Sequence, residues 1–190
     1  MSVVGYQARN HPQQVRGPRR DVDDRAMHPD DFRPLAGRFS FTVDAAASPA
    51  NAKCPRFWTA EDDGLAQSWA GERVYCNPPY SYPNIERWIR KAWAEGDAAL
   101  IVMLLPANRT EQVWWQATVE PFRDRPDGFL RTEFLPGRMR FLSPGQTGTG
   151  PNERPPFGCC LLIWDGPHPN LAPADLHAAE GQDSLFGGAA

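Results

Sequence analysis

Apolar residues fall into a few short runs separated by polar and turn-forming stretches. The clearest run is Asn84 to Glu95, where Ile85, Trp88, Ile89, Ala92 and Trp93 recur at intervals of three and four. On a helix of about 3.6 residues per turn these positions form one stripe, which predicts an amphipathic helix with Gly96 at its C-terminal cap. Ala98 to Leu105 follows with no polar interruption, the pattern of a strand covered on both faces, expected to end at Pro106. Val74-Tyr75-Cys76 is a shorter buried strand, stopped by Asn77-Pro78-Pro79 because Pro cannot donate to a ladder. Phe39 to Val43 alternates and ends at Asp44, which reads as a strand, and residues 45–52 read as turn and helix. Glu111 to Val119 reads as a helix with Val113, Trp114 and Ala117 inward. Leu130 to Leu135 and Arg138 to Leu142 read as strands, Ser143 to Pro156 as a Gly/Pro-rich loop, and Cys159 to Trp164 as a closing buried strand.

Strand, crossover helix and buried strand recur along this order. The expected fold is α/β: an open, mostly parallel sheet with helices on both faces and ligands at the carboxyl ends of the strands. Residues 1–24 are polar, with Gly17-Pro18-Arg19-Arg20 running into Asp21, Asp23 and Asp24, and read as a disordered N-terminal arm. Residues 167–190 read as a flexible C-terminal tail, which leaves 25–166 as the folded domain. No apolar run approaches the roughly 20 residues of a membrane helix. No apolar segment near the N-terminus suggests a secretory signal, so a cytoplasmic location and no membrane partner are expected.

Charge and cysteine content narrow the chemistry. The net charge is −3, so the chain as a whole is not a polycation, yet its basic residues are 18 Arg and 2 Lys (Lys53 and Lys91). Arg makes bidentate contacts with phosphate and guanine that Lys cannot copy. A GC-rich gene accounts for the same bias. Cys54, Cys76, Cys159 and Cys160 form no C-x-x-C pair, and neighbouring Cys159 and Cys160 point to opposite faces of a strand. They read as buried free thiols of a reducing compartment. His11, His28, His168 and His177 lie in or near the tails, so no metal site is expected.

The sharpest feature is Asn77-Pro78-Pro79-Tyr80, set directly after a buried strand. Two prolines fix the backbone and remove two donors, while their carbonyls remain as acceptors. Asn77 adds an amide oxygen and Tyr80 a flat face. Convergent acceptors on a rigid turn form a receptor for a planar ring bearing an NH₂ group. Gripping both amine hydrogens favours a pyramidal nitrogen and frees its lone pair for attack, by orientation and electrostatics. As a bare loop sequence the same residues would be a plain turn. Asp44, at the tip of its strand, reads locally as a cap for a following helix. Asp63 reads locally as a solvated turn residue before Gly64. Arg138 and Arg140 alternate with Met139, which places them on one strand face, and Arg109 follows the long apolar strand on the active-site side. All three are candidates for phosphate or base contact, or for a solvated face.

Asn77-Pro78-Pro79-Tyr80 resembles the [DNS]-P-P-[YFW] motif of S-adenosylmethionine-dependent amino-methyltransferases. The wider string is similar to the phage-type DNA N6-adenine methyltransferase (Dam) family. It comprises Asp44-Ala45-Ala46-Ala47, Asn51-Ala52-Lys53-Cys54, Asp63-Gly64-Leu65, Trp69, the Asn77 motif, Leu104-Leu105-Pro106-Ala107, Arg109-Thr110, Gly137-Arg138 and Pro156-Phe157. The resemblance covers about residues 27 to 165. It implies S-adenosyl-L-methionine as the methyl donor, DNA as the substrate, no metal, and action inside a bacterial host of a phage or prophage. It further implies that Asp44, Ala45 and Ala46 contact the donor and that Asp63 and Leu65 hold its adenine. Asn77 and Pro78 would then accept from adenine N6, with Pro79 stiffening the turn and Tyr80 stacking on an extruded base. The fold implied is Rossmann-like. The stretch from Asp44 to Val74 is too short for two further strand–helix units, so the sheet is expected to be trimmed. The acceptor geometry suits any planar amine or amide, which leaves RNA adenine and protein glutamine open as substrates. A DNA-binding relative without catalysis is also open.

Overall fold

The structure is a computed structural model that describes residues 25–81, 83–126, 128–142 and 154–170. The expected arm over 1–24, residues 143–153 of the expected loop, and the tail beyond 170 lie outside the described residues. The elements are β1 (Ala26–Met27), α1 (Pro29–Phe39), β2 (Val43–Asp44), β3 (Arg56–Phe57), β4 (Arg73–Cys76), α2 (Asn84–Ala94), β5 (Leu100–Pro106), α3 (Val113–Thr118), β6 (Leu130–Phe134), β7 (Phe141–Leu142) and β8 (Cys159–Asp165).

Six strands form one sheet in the order β3-β2-β4-β5-β8-β6, and β1 pairs with β7 in a separate ribbon. The β2·β3, β2·β4 and β4·β5 ladders are parallel. The β5·β8 and β6·β8 ladders are antiparallel and longer. The sheet is therefore mixed, which corrects the expectation of a mostly parallel one. Hydrophobic runs mark a strand as covered but carry no information about its direction. Here β8 follows no crossover helix, so the handedness rule that keeps such units parallel does not constrain it.

Both faces of the sheet are covered. Val74, Cys76, Ile101, Met103, Leu105, Leu162 and Trp164 pack with α2 and α3. Tyr75, Leu100, Val102, Leu104, Leu161 and Ile163 pack with α1. Every residue of β5 is buried, which is why its sequence shows no alternation. At about 1.5–3 kcal/mol per large side chain, this double cover is the main driving force for the fold. Cys159 and Cys160 lie on opposite faces as free thiols, and burial pushes both up to about 12. Among the described residues no helix is long and apolar enough to cross a membrane.

Several local expectations change. Phe39 ends α1 rather than starting a strand, and only Val43–Asp44 is extended. Phe32, Leu35 and Phe39 form the buried stripe of α1, with Pro29 in its first turn, acidic Asp30 and Asp31 beside it, and His28 Nδ1 accepting from the Asp30 N–H at 3.2 Å. Pro34 and Gly37 hide that helix from a propensity reading. Residues 45–52 are bend and turn with no helix. Gly96 is needed for space, not for a left-handed cap: an added Cβ would overlap the His168 carbonyl and the Asn170 side chain. His168 is buried against the end of α2, with Nε2 3.0 Å from the Ala92 carbonyl, so the expected tail begins with a docked segment. Val113 is 75% exposed and opens α3, whereas Trp114, Trp115 and Ala117 face inward. Of Arg138 to Leu142 only Phe141–Leu142 is a strand, paired with β1.

Candidate active site

Strands β2, β4 and β5 run side by side in one direction, so the segments that follow them leave the sheet at one edge. The β2·β4 register sets Asp44 directly beside Tyr75, two residues before Asn77. Ala45, Asn77 and Ala107 therefore all emerge at that edge.

Asp44 is only 2% exposed. Its carboxylate accepts from the Lys53 backbone N–H at 2.9 Å and the Ala46 N–H at 3.4 Å, closing the loop between them. It caps a loop, not a helix. Burial pushes the Asp44 carboxyl up to about 6, against the lowering effect of these two donors. The Asp63-Gly64-Leu65 turn is seated on this loop. A Cβ at Gly64 would overlap the Ala45 carbonyl oxygen and the Trp88 ring, so only glycine lets the two segments meet. Asp63 adopts a left-handed φ of 50° and is exposed, with its carboxylate accepting from the Leu65 N–H at 3.2 Å. The structure thus brings Asp44, Ala45, Ala46, Asp63 and Leu65 into one neighbourhood.

At the end of β4, the Asn77 Nδ2 donates to the Arg25 carbonyl at 2.6 Å. Its Oδ1 accepts from the Tyr80 hydroxyl at 2.7 Å. The Arg25 carbonyl dictates this orientation, since an amide oxygen facing it would be repelled. The Tyr80 hydroxyl also lies 3.1 Å from the Leu104 carbonyl of β5, so the ring is tied to the sheet. Burial pushes the Tyr80 phenol well above its ordinary range, and it stays protonated and able to donate. Its partly open ring meets Phe157 edge-on with centroids 6.5 Å apart. Pro78 is buried and Pro79 partly so. Asp44, Ala46, Lys53, Tyr75 and Asn77 line one narrow recess, roofed by residues 25–27.

The arginines separate. Arg109 follows β5 at the same edge, and among the described residues neither it nor exposed Arg138 makes an ion pair. Arg140 instead grips Asp31 of α1, with Nη2 at 2.5 Å and Nε at 3.1 Å from Oδ1. Residues 138–140 are not a strand, so Arg138 and Arg140 do not share a strand face as the alternation suggested. Arg123 is likewise paired with Glu120 and Asp124, and Arg131 with Glu133 and Asp165. Sequence reasoning gave no role to Tyr75, Lys53 or the Arg25 carbonyl. The one available signal was a hydroxyl-bearing residue at a strand position that Phe or Val would fill.

At one edge of this mixed sheet, two adjacent parallel strands end in a buried carboxylate and in an Asn-Pro-Pro-Tyr turn. A family model described as DNA N-6-adenine-methyltransferase (Dam) matches residues 19–167. A protein of Escherichia phage T1 named DNA N-6-adenine-methyltransferase is 33% identical over 129 residues, which cover 60% of this chain and 51% of that relative. The match thus spans about half the length of the curated relative. The chain belongs to the DNA N-6-adenine-methyltransferase (Dam) family.

Proposed function

We propose that this chain methylates N6 of an adenine flipped out of DNA, with S-adenosyl-L-methionine as the donor. The observation that carries the reading is the meeting of Asp44 and Asn77 in one recess at the edge of adjacent parallel strands. Family membership and the phage relative's name support the same chemistry. Strand order β3-β2-β4-β5-β8-β6, with β8 alone reversed, supports a trimmed Rossmann-like fold. Residues 25–166 make the methyltransferase domain, with His168 to Asn170 docked on it. A phage-encoded enzyme of this kind works in the host cytoplasm.

The residues present fit the donor. Asp44 offers a buried carboxylate, Ala45 and Ala46 leave backbone open to close approach, and the Tyr75 hydroxyl is buried with no hydrogen-bond partner. Asp63 and Leu65 flank the same loop and would hold the adenine end. When bound, the donor supplies a methyl group on positively charged sulfur. The Asn77 Oδ1 and the Pro78 carbonyl accept the two N6 hydrogens of the target base. Tyr80, by donating to Asn77 and lying against Leu104, holds that acceptor in place and presents its ring to the base. The Pro78-Pro79 backbone keeps the acceptors rigid, so little reorganisation accompanies attack. The methylated nitrogen is acidic and releases its proton without a strong base. Arg109 and Arg138 contact the DNA backbone or bases, whereas Arg140 holds α1.

Asn77→Ala tests this reading. Loss of one preorganised polar contact of this kind costs about 10²–10³ in turnover. The variant is expected to lose that much methylation while its melting temperature and donor affinity stay close to those of the parent. Normal DNA methylation by the variant refutes the site. With a labelled donor, methylation of RNA or protein in preference to DNA refutes the substrate.

A further inference from the structure

We infer that the main-chain carbonyl of Arg25, carried on the β1·β7 ribbon, is a positioning group that aims the Asn77 amide oxygen at the target amine, an inference that rests on the proposed function. The two prolines fix the backbone of the turn, but they leave the Asn77 side chain free to turn about its last bond. That torsion is broad and roughly two-fold, so the amide oxygen and nitrogen can exchange places. Only one arrangement serves the reaction. With the oxygen forward the group accepts an N6 hydrogen, and with the nitrogen forward it sets donor against donor.

A contact between segments 52 residues apart decides between the two. The Asn77 Nδ2 donates to the Arg25 carbonyl at 2.6 Å, and its Oδ1 accepts from the Tyr80 hydroxyl at 2.7 Å. An amide oxygen has two lone pairs, so one acceptor direction stays open for the substrate. A flipped amide would lose its bond to Arg25 and set two oxygens against each other. The carbonyl is held by the ribbon behind it. Met27 of β1 and Phe141 of β7 are paired and buried in the core on the α1 side of the sheet. The His28 N–H donates to the Arg140 carbonyl at 2.8 Å, and the Arg140 guanidinium grips Asp31 of α1. Ribbon, α1 and the acceptor turn thus form one continuous framework. The motif that this turn resembles admits Asp, Asn or Ser at its first position, and the Arg25 carbonyl makes an ionised Asp unfit here.

Asn77→Asp tests the assignment. Its carboxylate has no proton for the Arg25 carbonyl, whereas its protonated form restores the donor and keeps an acceptor oxygen. The opposing carbonyl dipole disfavours the charged form and holds that carboxyl above the usual Asp range. Asp44, Lys53, Tyr75, Cys76, Tyr80, Cys159 and Cys160 also titrate around the recess and the turn. The parent carries them all, so the ratio of variant to parent isolates position 77. At about pH 8, with saturating donor and DNA, Asn77→Asp should turn over about 10²–10³-fold more slowly than the parent, like Asn77→Ala. At about pH 5 its deficit should shrink about tenfold, whereas that of Asn77→Ala stays constant. Arg140→Ala, assayed well below its melting temperature, should lower kcat about tenfold and leave KM for DNA within about twofold. An Asn77→Asp variant as active as the parent at about pH 8, a deficit that is flat with pH, or an Arg140→Ala kcat equal to the parent's overturns the positioning role. A parent chain that methylates no DNA adenine overturns the proposed function, and this inference with it.

Discussion

Asp44→Asn separates the cost of holding a carboxylate in the core from its use. The ordinary Asp value of 3.8 is raised to about 6 in the folded chain. That gap is worth about 3 kcal/mol between the two protonation states. The sign follows from the direction of the shift. Below the unfolded value both states hold the proton and there is no penalty. As pH rises toward 6 the unfolded chain ionises while the fold retains its proton, and stability falls. Above about 6 the whole cost is present. Asn has no proton to release. The hydrogen bond it loses to the Lys53 or Ala46 N–H is independent of pH, so it offsets the curve without changing its slope. The stability of Asp44→Asn minus that of the parent is therefore expected to rise by about 2 kcal/mol from about pH 4.5 to pH 7.5. For a chain of this size that is roughly 4–8 °C in melting temperature. Urea unfolding of both proteins at several pH values across this window measures it. A difference that stays flat, or falls as pH rises, refutes the claim that burial strains this carboxylate. The variant should also bind donor weakly, which separates the group's function from its cost.

The other expectations concern packing and charge. Gly64→Ala should destabilise by about 1–3 kcal/mol through overlap with the Ala45 carbonyl and Trp88, and it should weaken donor binding as the Asp63 turn lifts from the Asp44 loop. Thermal melts and donor titration check both effects, and an unchanged protein shows that the turn is not seated as described. Arg140→Ala should lower the melting temperature, because it leaves the partly buried Asp31 carboxylate without its partner. Arg138→Ala should leave the melt unchanged, weaken DNA binding and reduce the salt slope by about 1. Equal effects of the two arginine substitutions on DNA affinity would return Arg140 to the DNA-contacting set.

The parts of the molecule legible in its sequence are those whose period is local. The stripe Ile85, Trp88, Ile89, Ala92 and Trp93 specifies α2 because spacing alone decides which side chains share a face. The unbroken apolar run of β5 reads correctly because both its faces are covered. Asn77 to Tyr80 stands out because two prolines after a buried strand leave the backbone few options. By contrast, α1 carries Pro29, Pro34 and Gly37, so its stripe is masked by residues of poor helix propensity. It holds through Phe32, Leu35 and Phe39 on the sheet and through Asp31 on Arg140. Alternation made Phe39 look like a strand residue, whereas it closes α1 ahead of Ser40, whose left-handed backbone ends the helix with its N–H on the Ala36 carbonyl.

By itself, then, the sequence determined which segments are buried, where the rigid acceptor turn sits and that an acidic residue ends the first strand of the large sheet. These are properties of neighbours along the chain. Only the tertiary structure decided the direction of β8, the pairing that ties Arg140 to Asp31, and the meeting of Asp44, Lys53, Tyr75 and Asn77 in one recess. Each of those depends on contacts between distant segments, where the energy of burial and of charge pairing chooses among arrangements that local pattern leaves equal.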